Sequence, residues 1–92
     1  MVRDFGAAPD APAIVLLHGW TATADLNWFR CYGALGERYR VIAFDHRGHG
    51  TGLRSKKPFR LEDCADDAVA IAAALGVERF IPVGYSMGGP IA

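Results

Sequence analysis

The sequence predicts an α/β fold: a parallel β-sheet with flanking helices, made of three strands, two full helices and the start of a third. Three observations predict it. Short apolar runs without polar alternation occur at Ala13–Leu17, Arg40–Phe44 and Phe80–Val83, the pattern of strands buried on both faces. Stretches of helical period separate these runs. A glycine-bearing segment begins directly after each run: His18-Gly19-Trp20, Asp45 to Gly52, and Gly84 to Gly89. In a parallel sheet those segments gather at the carboxyl edge, where open α/β sheets build their sites.

Residues 1–92 read as a single domain, with 1–12 as an irregular, Pro/Ala/Asp-rich lead-in. Ala13–Leu17 is apolar and β-branched at Ile14 and Val15, as a buried strand requires. Asp25 to about Arg38 is expected to be helical, because Trp28, Cys31, Tyr32 and Leu35 recur at spacings of three and four. Gly33 and Gly36 each cost such a helix about 1 kcal/mol relative to Ala. Arg40–Phe44 is the second strand, and a glycine-rich loop follows it. Ser55 to Arg60 is polar, with Pro58 as a breaker.

Leu61–Leu75 is the clearest helix. Leu61, Cys64, Ala65, Ala68, Val69, Ala72 and Ala73 form one stripe. Glu62 and Asp63 suit the positive end of the helix dipole, and Gly76 supplies the stop. Pro82 is awkward in the third strand, because it removes a ladder donor. The last residues begin another helix. The order strand–helix–strand–helix–strand argues for βαβ units.

Composition narrows the function classes. Ten basic and ten acidic residues leave no net charge, so nucleic-acid binding has no electrostatic support. Arg54, Lys56, Lys57 and Arg60 read as a solvated loop. The longest apolar run is far short of the roughly 20 residues that span a bilayer. No signal-peptide core precedes it, so a cytoplasmic location without membrane contact is expected. Cys31 and Cys64 lack metal-ligand spacing and are expected to be packed, reduced thiols. A chain of 92 residues that is 51% apolar buries only about 60–65% of its unfolded surface. Open sheet edges then invite self-association.

Gly84-Tyr85-Ser86-Met87-Gly88 matches G-x-S-x-G. Between a strand and a helix, that pattern sets a serine on a tight, strained turn that pushes its hydroxyl above the sheet. Gly84 and Gly88 leave room for close backbone approach. A phosphate-cradling loop would need a Lys after the last glycine, and none is there. In His18-Gly19-Trp20, Gly19 lets the loop curl, so the amides of Trp20 and Met87 are the expected donors to an oxyanion. His18 is read as a strand-end residue that orders the loop rather than as a general base. In Asp45-His46-Arg47-Gly48-His49-Gly50, a metal site of Asp45, His46 and His49 lacks further ligands, so no metal is expected. Asp45 and Arg47 are expected to bond loop backbone groups, with Gly48 and Gly50 at positive φ. Trp20, Trp28 and Phe29 are candidates for lining a pocket, with core packing the simpler reading for Trp28.

Leu16–Trp20, Val41–Gly50 and Val83–Gly89, in this order and spacing, resemble the α/β-hydrolase superfamily. The likeness covers Ala13 to Ala92 and is nearest to cofactor-free esterase, haloperoxidase-like and acyl-hydrolase members. It implies that Ala13–Leu17 lies between the other two strands. It makes Ser86 the nucleophile, with Trp20 and Met87 as the oxyanion hole and no cofactor. Serine at the elbow disfavours dehalogenase and epoxide hydrolase chemistry, which the family runs with Asp. Gly52 stands where the family's loop often carries Ser. The family places its catalytic acid and histidine beyond the elbow, so this chain is expected to be about a third of a family domain.

The implied function is hydrolysis of a small acyl substrate through an acyl-enzyme at Ser86, with little turnover from these residues alone. Perhydrolase, thioesterase and carbon–carbon bond hydrolase chemistry share the same front half. A non-catalytic module binding a small ligand or partner at the carboxyl edge is the competing reading.

Overall fold

A computed structural model describes residues 2–6, 11–20, 22–52, 54 and 59–92. Its elements are β1 (Val2–Gly6), β2 (Ala13–Leu17), α1 (Ala24–Trp28), α2 (Tyr32–Gly36), β3 (Arg40–Phe44), α3 (Leu61–Ala74), β4 (Ile81–Gly84) and α4 (Gly88–Ile91). The strands form one sheet in the order β1-β3-β2-β4. β2 pairs in parallel with β3 and β4, Val15 lying opposite both Ile42 and Pro82. The third of the three expected strands runs one residue later, at Ile81–Gly84.

The lead-in is not wholly irregular. Val2–Gly6 is a fourth strand, antiparallel to β3. Its burial is slight, so it lacks the apolar signature of its neighbours. What holds it is the ladder and an Arg40–Asp4 ion pair at 2.7 Å. Phe5 packs edge-on against Tyr32.

Every residue of β2 is buried, because both faces of the sheet are covered. Ile14, Leu16, Val41 and Ala43 face Trp28, Tyr32 and Leu35 of α1 and α2. Val15, Leu17, Ile42 and Phe44 face Cys64, Ala68 and Ala72 of α3, with Ile91 of α4. The crossovers β2–β3 and β3–β4 run in opposite directions and lie on opposite faces, so they share one hand.

The single helix expected over 25–38 is two short ones. Thr23 caps the first, its hydroxyl accepting from the Leu26 amide. The chain then turns through Phe29 to Cys31, and the Cys31 amide donates to the Trp28 carbonyl. The break keeps Trp28, Tyr32 and Leu35 on the core while seating Gly36 against the Phe5 ring. Cys31 is exposed rather than packed, whereas Cys64 is buried as expected. α3 ends where Gly76 adopts φ 77°.

Pro82 fits for a simple reason. The Tyr85 amide donates to the Leu17 carbonyl. Alternation along the strand then turns the residues at 81 and 83 toward β2 and those at 82 and 84 outward. The missing Pro82 donor therefore faces away from β2, and the β2–β4 ladder loses no hydrogen bond to it. Among the described residues, no helix is long and apolar enough to cross a membrane.

Candidate active site

The ends of β2, β3 and β4 bring the three glycine-bearing segments to one edge of the sheet. Ser86 occupies the turn between β4 and α4 and is exposed. Its φ is 55°, and among the described residues no other non-glycine adopts positive φ. This is the backbone strain expected of a serine thrust from a sharp turn. The turn is braced by Gly88 N–H to Tyr85 O (2.9 Å) and Gly89 N–H to Ser86 O (3.0 Å).

Two close approaches require glycine. A Cβ on Gly88 would lie 2.7 Å from the Leu17 carbonyl carbon and closer still to its oxygen. A Cβ on Gly84 would lie 2.5 Å from the Gly89 nitrogen. The elbow therefore rests with its backbone directly on β2.

The His18–Trp20 loop meets that elbow. A Cβ on Gly19 would contact the Ser86 Cβ at 3.4 Å and the Tyr85 carbonyl at 3.3 Å. Trp20 follows Gly19 and Met87 follows Ser86, so both expected donor amides flank this contact. Among the described residues, neither amide bonds to a backbone oxygen. The Trp20 ring is 57% exposed and packs edge-on against His49 and Phe59. Phe29 is exposed and Trp28 packs against the core, whereas Trp20 follows directly on Gly19.

His18 is fully buried and bonded within the loops. The His46 amide donates to His18 Nε2 at 2.9 Å. That occupies Nε2 as an acceptor and leaves the ring proton on Nδ1, which donates to the Gly19 carbonyl at 2.7 Å. His46 in turn gives its Nε2–H to the His18 carbonyl at 3.2 Å. The two histidines thus clasp the ends of β2 and β3. Burial holds His18 below the ordinary imidazole range and pushes His46 down to about 4. Both are neutral near pH 7, and neither ring bonds to Ser86.

Asp45 behaves as expected. Its carboxylate accepts from the amides of Ala24 (2.8 Å) and Thr51 (2.9 Å) and from the Thr51 hydroxyl. Burial alone would raise its pKa; these bonds outweigh burial and hold it below the usual carboxylate range. Gly48 and Gly50 do take positive φ. A side chain at Gly52 would collide with the carbonyls of Asp45 and His46, which accounts for glycine there.

Arg47 departs from the expectation. Among the described residues its side chain bonds no loop backbone and instead forms a two-pronged pair with Asp67 of α3, at 2.7 and 2.8 Å. A planar guanidinium finds its best partner in a carboxylate, and α3 passes within reach. The sequence reading also missed Asn27, whose Oδ1 accepts from the Gly19 amide at 2.7 Å. Nothing in residue spacing ties positions 19 and 27. Lys56 and Lys57, of the basic loop, lie outside the described residues.

With a serine on a strained turn, an adjoining glycine loop and a buried histidine clasp at the carboxyl edge, the arrangement is that of an α/β hydrolase. The model of the alpha/beta hydrolase fold matches residues 12–92, and the chain belongs to this family. It is 38% identical over 88 residues to a bifunctional esterase/perhydrolase of Acinetobacter calcoaceticus, covering 95% of this chain and 31% of that protein. It is 34% identical to epoxide hydrolase B of Mycobacterium tuberculosis, covering 99% of this chain and 26% of the other. Among solved structures, the enol-lactonase from Burkholderia xenovorans superposes with a TM-score of 0.91 at 30% identity, covering 99% of this chain and 35% of that one. The chain thus spans about a third of the length of such relatives.

Proposed function

We propose that this region carries the nucleophile of a serine acyl hydrolase acting on a small ester-like substrate. The observation behind this reading is Ser86 itself: exposed, held at φ 55° on the β4–α4 turn, and so near the Gly19 loop that a Cβ on Gly19 would meet its Cβ at 3.4 Å. Its oxygen attacks the substrate carbonyl carbon while the Trp20 and Met87 amides receive the charge that develops on the carbonyl oxygen. The C–O bond to the leaving alcohol then breaks, and water releases the acid from the acyl-enzyme. Relatives include both esterases and epoxide hydrolases, and serine at the elbow favours the acyl route.

A serine hydroxyl needs a base to take its proton. His18 and His46 are committed to the β2–β3 clasp and His49 Nδ1 lies 3.1 Å from the Arg47 carbonyl oxygen, so we assign the base and its orienting carboxylate to polypeptide outside these 92 residues. This agrees with a chain that covers 31% of the esterase/perhydrolase. We assign no cofactor to the reaction.

The test is p-nitrophenyl acetate hydrolysis by the full-length protein that contains this region. Ser86→Ala should lower kcat by about a million-fold, as loss of an acyl-enzyme nucleophile does in other hydrolases. Mass spectrometry of quenched wild type should show an acetyl group on Ser86. Residues 1–92 alone should show little turnover. Unchanged hydrolysis by Ser86→Ala would refute the assignment of the nucleophile, and absence of hydrolysis by wild type would favour a ligand-binding module.

A further inference from the structure

Two successive peptide planes set the direction of the Trp20 amide. The Gly19 carbonyl and the Trp20 N–H belong to one planar trans unit, so they point in opposite directions. His18 Nδ1–H holds that carbonyl at 2.7 Å. The preceding plane carries the Gly19 N–H, and this is the group that Asn27 holds at 2.7 Å. Glycine has the loosest backbone of any residue, so Gly19 left to itself would not fix either plane.

We infer that Asn27 is a positioning residue for acyl transfer: its carboxamide oxygen clamps the Gly19 amide so that the next amide, that of Trp20, faces the oxyanion formed at Ser86. The inference rests on the reading of Ser86 as nucleophile. It does not make Asn27 a catalytic residue, because Asn27 acts through the loop and touches no reacting atom.

The clamp is itself rigidly mounted. Asp45, at the end of β3, accepts from the Ala24 amide and so fixes the first residue of α1. The Thr23 hydroxyl caps the same turn. The Asn27 amide returns to the Thr23 carbonyl at 3.3 Å. Trp28, the next residue, is packed in the core between sheet and helix. Asn27 is thus held at both ends of its turn, and only its side chain crosses to the β2 loop. A backbone N–H must meet an acceptor, so the oxygen of the carboxamide, rather than its nitrogen, faces Gly19. An apolar residue there would leave the Gly19 N–H unheld, so that the Trp20 amide would be aimed by the His18 bond to the Gly19 carbonyl alone.

The experiment compares wild type, Asn27→Leu, Asn27→Ser, Asn27→Asp and Ser86→Ala in the full-length protein. It measures kcat and KM for p-nitrophenyl acetate, inhibition by an aryl trifluoromethyl ketone, and thermal melting. Asn27→Leu has the size but no acceptor, and Asn27→Ser is too short to reach. Both should lower kcat about ten- to a hundredfold, the cost of a misdirected group, with KM within about threefold. The ketone, whose adduct carries the oxyanion, should weaken in proportion to kcat/KM. Asn27→Asp keeps an acceptor and should recover most of kcat. A role confined to stability would lower the melting temperature and leave kcat and ketone affinity alike unchanged; that result overturns the inference while Ser86→Ala remains inactive. An active Ser86→Ala would remove the nucleophile assignment as well, so the two failures are told apart.

Discussion

Two neighbouring glycines, Gly88 and Gly89, are alike as letters and opposite in environment. A Cβ on Gly88 would sit 2.7 Å from the Leu17 carbonyl carbon, where carbon neighbours ordinarily stay beyond 3.4 Å, and its oxygen is closer still. At least about 0.7 Å must therefore open between the elbow and β2. Both sides are backbone, and the Tyr85–Leu17 hydrogen bond ties them together at 3.1 Å, so neither yields cheaply. Overpacking of this kind costs about 3 kcal/mol or more, a large part of the 5–15 kcal/mol typical of a domain. Around Gly89, among the described residues and apart from its chain neighbours and its own helix backbone, nothing lies within 4 Å of the added carbon. Gly89→Ala should be neutral or stabilise by up to about 1 kcal/mol, since Ala favours the helix. Urea unfolding of both variants measures the difference directly. On the proposed role of Ser86, a displacement near 1 Å there should also cut ester hydrolysis by about a hundredfold in Gly88→Ala. Equal unfolding midpoints for the two variants would show that the elbow does not rest on β2 as described.

Acid should weaken the fold through the histidine clasp. Burial lowers His46 from 6.5 to about 4, so the unfolded chain binds a proton that the folded chain refuses. Stability from this group is complete above pH 6.5 and is lost as pH falls toward 4, in all about 3 kcal/mol. Urea midpoints that stayed constant between pH 6.5 and 4 would contradict the assignment. Among ion pairs, Arg47–Asp67 is two-pronged and largely shielded, with side chains 17% and 23% exposed, whereas Arg60–Glu62 is open at 62% and 69%. Asp67→Asn should lower the melting temperature measurably and Glu62→Gln should not; the reverse order would refute the ranking. With a thiol reagent, the native chain should release one equivalent quickly, from Cys31, and the second, from Cys64, only in denaturant. Two fast equivalents would show that α3 does not shield Cys64.

Much of the architecture was legible in the chain. β2 and β3 announced themselves because both their faces are buried, which forces near-continuous apolar runs. The long stripe from Leu61 located α3 within a residue. β1 was invisible for the converse reason: its side chains are mostly exposed, and backbone pairing to β3 leaves no apolar signature. The helix expected over 25–38 divided because periodicity records which side chains face the core and carries no information on where the axis turns. Pro82 looked misplaced until the register with β2 turned its imide nitrogen away from that ladder.

The same division holds at the site. G-x-S-x-G after an apolar run determined the place of Ser86 and the need for Gly84 and Gly88, because a tight strand-to-helix turn is a local demand of the backbone. Tertiary structure alone decided the rest. Arg47 turns to Asp67, His46 sets the tautomer of His18, and Asn27 reaches Gly19. Each of these pairs joins residues from different elements. Which polar groups meet depends on how strands and helices pack in space, and residue spacing carries no record of that distance.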